Sequence, residues 1–141
     1  MDYREAYEKA LQLLNIRFLS EGELKAKLRR RGVDDDVLED VVAALEGEHF
    51  LDDQRLARDV YRYYARKGQY GHLYIVNRLR RRCLPVPEDV ERPDEYALAG
   101  DLVKRKFSYR ADEARKAARF LQYRGFSPSV IRDVLEDFTV H

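Results

Sequence analysis

Several residue types are scarce in this sequence, and each scarcity excludes a class of protein. Its 141 residues include a single cysteine, Cys83, so an internal disulfide cannot form. The three histidines, His49, His72 and His141, lie far apart without the spacing of metal ligands, which argues against a metal site. The sequence has neither a glycine-rich phosphate loop nor a nucleophile with a base beside it, so we expect no cofactor and no enzymatic activity.

Long apolar runs and tracts without apolar residues are also missing. No run approaches the roughly 18 apolar residues of a membrane span, and the N-terminal residues are too acidic for a signal peptide, so we expect a cytoplasmic protein. Leu, Val, Ile, Phe and Tyr recur along the whole chain although 38% of its residues are charged. We therefore expect a folded chain with about the size of one domain.

Apolar residues recur at the spacing of helices, and alternating strand patterns are absent. A capping box of Ser20 and Glu23 begins the second helix, and Gly32 ends it. Three prolines between positions 85 and 93 leave room there for a short helix only, so we predict an all-α fold of about nine helices, one of them stunted. The other predicted helix starts are Asp34, Asp52 or Asp53, Gly71, Asp94, Arg110 and Ser127, and the other predicted ends are Gly47, Gly68 and Gly125.

The chain contains an internal repeat. Residues 28–33, Leu-Arg-Arg-Arg-Gly-Val, align with residues 121–126, Leu-Gln-Tyr-Arg-Gly-Phe, at a constant shift, and in a middle copy Cys83 stands where the first copy has Gly32. Small helical units cannot bury their apolar faces alone and therefore often come in arrays. We predict one continuous module, an elongated tandem array of three three-helix units at 1–51, 52–93 and 94–141, with a shortened third helix in the middle unit.

The net charge of +1 conceals a strongly basic middle. From Gln54 to Leu84 there are nine basic residues against one acidic residue, Asp59, so this stretch carries +8 and the remainder about −7. A concentration of one sign of charge predicts a contact surface for a partner of the opposite sign. The candidate contact residues are Arg55, Arg58, Arg62, Arg66, Lys67, Tyr70, Tyr74, Arg78, Arg81 and Arg82.

These side chains are predicted to face solvent. On a helical wheel Arg55, Arg62 and Arg66 fall within about 40° of one another, opposite the apolar face of their helix. Arginine pairs with carboxylates or phosphates and stacks on aromatic rings, so the surface suits either an acidic protein groove or a nucleic-acid backbone. A solvated helix face without a partner is the alternative interpretation.

Four blocks in order along almost the whole chain resemble the RecX family of bacterial regulators of the RecA recombinase. The blocks are residues 17–32, 50–57, 68–79 and 116–131, and they depart from the family pattern at Leu19, Leu56 and Arg78, where a second arginine, an aromatic residue and an acidic residue are usual. The matching positions, which we expect to be largely structural, are Arg17, Ser20, Glu23, Leu24, Leu28, Gly32, Asp52, Asp53, Ala57, Gly68, Ile75, Leu79, Lys116, Leu121, Arg124, Gly125 and Phe126.

The resemblance implies a non-enzymatic protein that binds in the groove of the RecA filament on DNA, where it would hinder filament extension, strand exchange, ATP hydrolysis and RecA-assisted cleavage of the LexA repressor. We also expect a monomer, and the near-neutral net charge predicts weak affinity for DNA alone. A small helical protein that binds duplex DNA directly is the main alternative, because each unit has about the size of a helix-turn-helix domain. A helical adaptor for another acidic partner is a third possibility.

Structural roles are expected for several of these polar residues. Arg17 is expected to form an ion pair with Glu23 or with Asp52 and Asp53, and the two aspartates are expected to cap a helix. Cys83, which aligns with a glycine, is expected to be a small residue at a helix end.

Overall fold

The chain is all-helical in a computed structural model that describes residues 1–107 and 111–140. Within these ranges there are eight α-helices and no strand, which confirms the predicted fold class. The helices are α1 (Tyr3–Ile16), α2 (Glu21–Arg30), α3 (Asp35–Gly47), α4 (Asp53–Arg66), α5 (His72–Arg81), α6 (Glu95–Lys106), α7 (Ala114–Tyr123) and α8 (Pro128–Val140). A short 3₁₀ helix, Ala111–Glu113, precedes α7, and the helix start predicted at Arg110 lies outside the described residues.

The helices begin largely where the capping residues predict. Ser20 forms the complete capping box of α2, since its Oγ accepts a hydrogen bond from the Glu23 amide at 3.0 Å and its own amide donates to the Glu23 carboxylate at 2.9 Å. Asp52 and Asp94 accept hydrogen bonds from backbone amides in the first turns of α4 and α6. Asp34 occupies the N-cap position of α3 but makes no side-chain capping bond.

The helix ends use residues with left-handed backbone conformations. Gly32, Gly68 and Gly125 have φ of 86°, 63° and 82°, as a helix stop requires. Cys83 follows α5 with φ of 58°, so it takes the backbone conformation of the glycine with which it aligns. Gly47 is predicted to lie just past the end of α3, but it is the last residue of that helix, and the left-handed residue is His49, two positions later, with φ of 66°.

The short helix predicted between the prolines is not formed. Residues 84–94 contain only a bend at positions 88–90, so the middle of the chain has no shortened third helix and the helix count falls to eight in the described ranges. Proline lacks an amide hydrogen and disfavours the helical conformation of the residue before it. Pro85, Pro87 and Pro93 therefore leave no run in which successive helical hydrogen bonds can form.

The chain divides into two compact units. The first comprises Met1–Asp59 with Leu79–Pro87, and the second comprises Val60–Arg78 with Glu88–His141, so α4 and α5 each contribute residues to both. The division into three three-helix units stays a prediction. Among the described residues, no helix has the length and apolar content needed to cross a bilayer.

The first unit has a core built from α1, α2 and α3. Its fully buried side chains include Leu24, Leu28, Leu38 and Leu45. Leu19 is also buried, at 4% exposure, which explains why an apolar residue is tolerated at this departure from the family pattern.

The second unit has a core built from α6, α7 and α8. Leu121 and Phe126 lie at its centre and are almost completely buried. The start of α5 is joined to this core by backbone hydrogen bonds, from the Gly71 amide to the Arg124 carbonyl at 2.7 Å and from the Leu73 amide to the Gly125 carbonyl at 3.1 Å. This junction positions the side chains of the candidate surface described next.

Candidate partner-binding surface

The predicted contact residues are at least partly accessible to solvent. The exposed side chains are those of Arg55, Arg62, Arg66, Lys67 and Arg81, and the half-buried ones are those of Arg58, Tyr70, Tyr74, Arg78 and Arg82. Six of them, Arg62, Arg66, Lys67, Tyr70, Tyr74 and Arg78, belong to the second unit, and the other four belong to the first. The second unit therefore contains most of the candidate surface.

Arg82 is engaged within the first unit. Its guanidinium contacts the Glu23 carboxylate at 3.0 Å and donates to the Phe18 carbonyl at 2.8 Å, and its carbonyl accepts a hydrogen bond from Ser20 Oγ at 2.5 Å. Burial raises the pKa of Glu23, but the hydrogen bonds from Arg82 and the Ser20 amide outweigh it and hold this pKa below its usual value. Arg82 therefore stabilises the capping box of α2 instead of forming part of a free basic surface.

The neighbouring family positions are also structural. Arg17 lies 3.7 Å from the Glu23 carboxylate, which confirms the first of its two predicted ion pairs. Asp53 accepts a hydrogen bond from the Glu21 amide at 2.9 Å, so the start of α4 is tied to the start of α2. Burial and the nearby carboxylate of Glu21 raise the pKa of Asp53.

The second unit carries a cluster of four tyrosines, Tyr63, Tyr64, Tyr70 and Tyr74, which we call the tyrosine cluster. Tyr70 and Tyr74 stack in parallel, with ring centroids 3.9 Å apart and ring planes 5° apart. Tyr64 stands edge-on to both rings, at 6.0 and 5.9 Å, and Tyr63 stands edge-on to Tyr64 at 5.1 Å. The three edge-on pairs have the geometry in which aromatic rings attract one another, so Tyr64 joins the other rings into one aromatic surface.

Three cations lie over the rings of the tyrosine cluster. Lys67 lies 4.7 Å from the centroid of Tyr63, and Arg124 lies 5.5 Å from that of Tyr70. Arg78 lies 5.0 Å from the centroid of Tyr74 and donates a hydrogen bond to its hydroxyl at 2.8 Å. Burial raises the pKa of Tyr74, but this hydrogen bond and the surrounding charges lower it more, so the net shift is downward.

In the described part of the chain, no carboxylate neutralises these cations. Within residues 1–107 and 111–140, the side chains of Arg62, Arg66, Lys67, Arg78 and Arg124 form no ion pair. A contact with a ring face contributes about 0.5–1 kcal/mol at an exposed site and leaves the charge in place. The cluster therefore presents oriented positive charges that remain available to external carboxylates or phosphates.

Arg124 is the member of this surface that the sequence did not identify. The family resemblance assigned it a structural role at a helix stop, but it contacts Tyr70, Phe120 at 5.0 Å and the Gln69 side chain at 3.0 Å. One signal was present, since Phe120 lies four residues before Arg124, the spacing that places two side chains on the same face of a helix. The contact with Tyr70 joins residues 54 positions apart, which no local pattern reveals.

Sequence comparisons relate the chain to proteins with the same order of domains. A family model described as the first three-helix domain of RecX matches residues 6–45, and one described as the third three-helix domain of RecX matches residues 93–135. Among curated relatives, the regulatory protein RecX of Vibrio cholerae is 32% identical, over 96% of this chain and 94% of its own length. The chain belongs to the RecX family.

Other relatives differ from this RecX-family chain in length. The regulatory protein RecX of Pelodictyon phaeoclathratiforme is 32% identical over 89% of this chain and 84% of its own length. The chain spans little more than half, 56%, of the RecX of Geobacillus kaustophilus, to which it is 29% identical. The crystal structure of RecX from Lactobacillus salivarius has the same fold, with a TM-score of 0.79, 22% identity and nearly complete coverage of both chains.

Proposed function

We propose that this RecX-family chain binds the RecA filament on DNA and restrains it, with the basic surface of the second unit as the main contact. The relatives bear the name regulatory protein, and the family resemblance supplies RecA as the partner. The observation that carries the proposal is the group of cations held over the tyrosine cluster, which have no carboxylate partner among the described residues. Such a surface attracts negatively charged partners, and the DNA of a nucleoprotein filament carries phosphates.

The proposed action requires no chemistry by the chain itself. A monomer that occupies the filament groove in the cytoplasm would hinder extension, strand exchange, ATP hydrolysis and LexA cleavage by its position alone. A tandem array of helical units, which the internal repeat predicts, would add contact surface along one direction and so suit a groove that runs along a filament. Bidentate arginine contacts would give this binding both affinity and orientation.

A titration of RecA activity tests the proposal. ATP hydrolysis and strand exchange by RecA on single-stranded DNA are measured while the full chain is added below one molecule per RecA. We expect strong inhibition at these ratios, because a groove-bound molecule interrupts the filament for many protomers. No effect at any ratio would refute the proposed function, and inhibition only near equal ratios would favour competition for DNA.

Charge reversal then tests the surface. Arg62 and Arg66 are exposed and make no ion pair in the described part of the chain, so Arg62→Glu with Arg66→Glu removes positive charge without removing a structural contact. Lys104→Glu with Arg105→Glu on α6 of the same unit is the matched control, since both side chains are exposed and the change in net charge is the same. We expect inhibition to weaken only in the first double variant.

Direct binding of duplex DNA is the second candidate, because cations that have no carboxylate partner among the described residues can contact backbone phosphates. Binding to bare duplex would weaken linearly with the logarithm of salt concentration, with a slope that reflects the number of phosphates contacted. A steep slope on bare duplex together with unchanged RecA activity would favour this candidate. Weak binding to bare DNA beside tight binding to RecA filaments would exclude it.

A further inference from the structure

A groove of about 520 Å³ opens on the second unit among α5, α7 and α8. Phe126, only 2% exposed, and the backbone of Gly125 line it together with side chains of the three helices. The groove is preformed, because the hydrogen bonds from the Gly71 and Leu73 amides hold α5 against the loop that joins α7 to α8. Its volume is that of a site for a few side chains or a small ligand.

The walls of the groove expose large apolar side chains. Tyr123 at the end of α7 is 82% exposed, and Leu73 in the first turn of α5 is 47% exposed. Ile131 of α8 adds a half-buried apolar surface. Exposed apolar side chains around a concave site are typical of a surface that another molecule covers.

The polar groups of the groove define the chemistry of that molecule. Among the described residues that line it, Arg132 is the only charged one and none carries a carboxylate. Arg132 lies 3.7 Å from the carboxylate of its sequence neighbour Asp133, and both side chains are more than half exposed, so this pair is weak and can be exchanged. Asn77 and Gln122 add two side-chain amides, which can donate to and accept from a peptide backbone.

The groove is continuous with the basic surface through one residue. Tyr74 lines the groove, stacks on Tyr70 and accepts a hydrogen bond from Arg78. A partner bound at the tyrosine cluster therefore reaches the groove without leaving the second unit. The cations over the tyrosine cluster, together with the exchangeable Arg132 in the groove, favour a partner that carries carboxylates.

We propose that this groove binds a short segment of the partner protein in which a bulky apolar side chain is flanked by acidic residues. The apolar side chain packs against Leu73, Tyr123 and Ile131, the amides of Asn77 and Gln122 bond the backbone, and Arg132 pairs with a flanking carboxylate. The inference rests on the proposed function in taking RecA as the partner. It deepens that function by assigning a second, sequence-selective contact beside the electrostatic one.

Short overlapping peptides that tile the RecA sequence are the probes. Each is labelled with fluorescein, and its binding to the full chain is followed by fluorescence anisotropy. We expect the binding peptides to carry a large apolar residue next to Asp or Glu. Tyr123→Ser and Arg132→Glu are each expected to weaken their binding about tenfold or more, whereas Tyr96→Ser and Arg105→Glu, exposed residues on α6 of the same unit, are expected to leave it unchanged.

Inhibition of RecA separates this inference from the proposed function. If wild-type protein inhibits RecA and both groove variants inhibit it equally well, the groove proposal is overturned and the proposed function stands. If wild-type protein has no effect on RecA, both fail together. A concentration-dependent dimer in sedimentation velocity that Tyr123→Ser abolishes would assign the groove to a second copy of the chain and overturn the partner assignment.

The folded state of each variant is checked independently. Tyr123 and Arg132 are exposed, so their variants are expected to retain the helical circular dichroism and unfolding temperature of the wild type. The reverse substitution supplies a further test. A binding peptide in which Lys replaces the acidic residue should bind the wild-type chain more weakly. The same peptide should bind the Arg132→Glu variant more tightly than it binds the wild type, and a failure to do so would contradict the charge pairing.

Discussion

Substituting alanine for Gly125 is expected to break the junction between α5 and the core of the second unit. A Cβ at this position would overlap the amide nitrogen and Cβ of Tyr74 and would lie 2.7 Å from its Cα. These are atoms of the backbone and its first side-chain carbon, so they cannot turn away as the end of a flexible side chain can. The start of α5 must therefore move.

The cost of this movement follows from the contacts that it breaks. Gly125 has φ of 82°, and a Cβ in the left-handed region costs roughly 1–2 kcal/mol. Displacement of α5 also disrupts the hydrogen bonds from the Gly71 and Leu73 amides, each worth about 1 kcal/mol. Gly125→Ala is thus expected to lower the free energy of unfolding by about 3–4 kcal/mol.

Gly32 provides the matched control. It stands at the aligned position of the first repeat with φ of 86°, but a Cβ there would meet nothing within 4 Å in the described part of the chain. Gly32→Ala should therefore cost only the roughly 1–2 kcal/mol of the backbone conformation. Urea unfolding followed by far-ultraviolet circular dichroism measures both variants. Equal losses for the two would refute the reasoning, because the contact with Tyr74 would then contribute nothing.

Three further predictions concern the first unit. Gly22→Ala should lower the stability of this unit, because the new Cβ would lie 2.7 Å from Cys83 Cβ. Adding Cys83→Gly should restore most of the lost free energy of unfolding in the same urea experiment, and no restoration would contradict the contact. Arg82→Ala should lower the free energy of unfolding by about 1–2 kcal/mol above about pH 4.5, where ionised Glu23 with its depressed pKa stabilises the fold. This contribution is lost as the pH falls through the pKa of Glu23 in the folded state. Equal losses at pH 7 and pH 3 would disprove the prediction. Burial and a neighbouring carboxylate raise the pKa of Glu46, so ionised Glu46 destabilises the fold, and Glu46→Gln should raise the unfolding temperature at pH 7 but not at pH 3.

Local signals were sufficient to predict most of the helices. The capping box at Ser20 and the left-handed stops at Gly32 and Gly125 act within one helical turn, so they can be found in the sequence without knowledge of the fold. The same reasoning failed between Pro85 and Pro93, where a short helix is predicted but none is formed. Three prolines within nine residues remove the hydrogen bonds that would extend a first helical turn.

The candidate surface was only partly predictable because its geometry depends on distant contacts. The helical wheel placed Arg62 and Arg66 correctly on the exposed side of α4. It also placed Tyr74 and Arg78 in solvent, whereas both are half-buried because Tyr64 and Tyr70 pack over Tyr74. A helical wheel describes one helix at a time, so it cannot show that rings of a neighbouring helix and loop bury part of that helix.

The central claim is that the cations of the second unit that form no ion pair with described residues, Arg62 and Arg66 among them, bind the RecA filament. Equilibrium binding of the fluorescently labelled chain to RecA filaments assembled on single-stranded DNA, at physiological salt, tests it most directly. We predict that Arg62→Glu with Arg66→Glu weakens binding about tenfold or more, whereas Lys104→Glu with Arg105→Glu leaves it within about twofold of the wild type. Equal affinity of the two double variants for the filament would contradict the account.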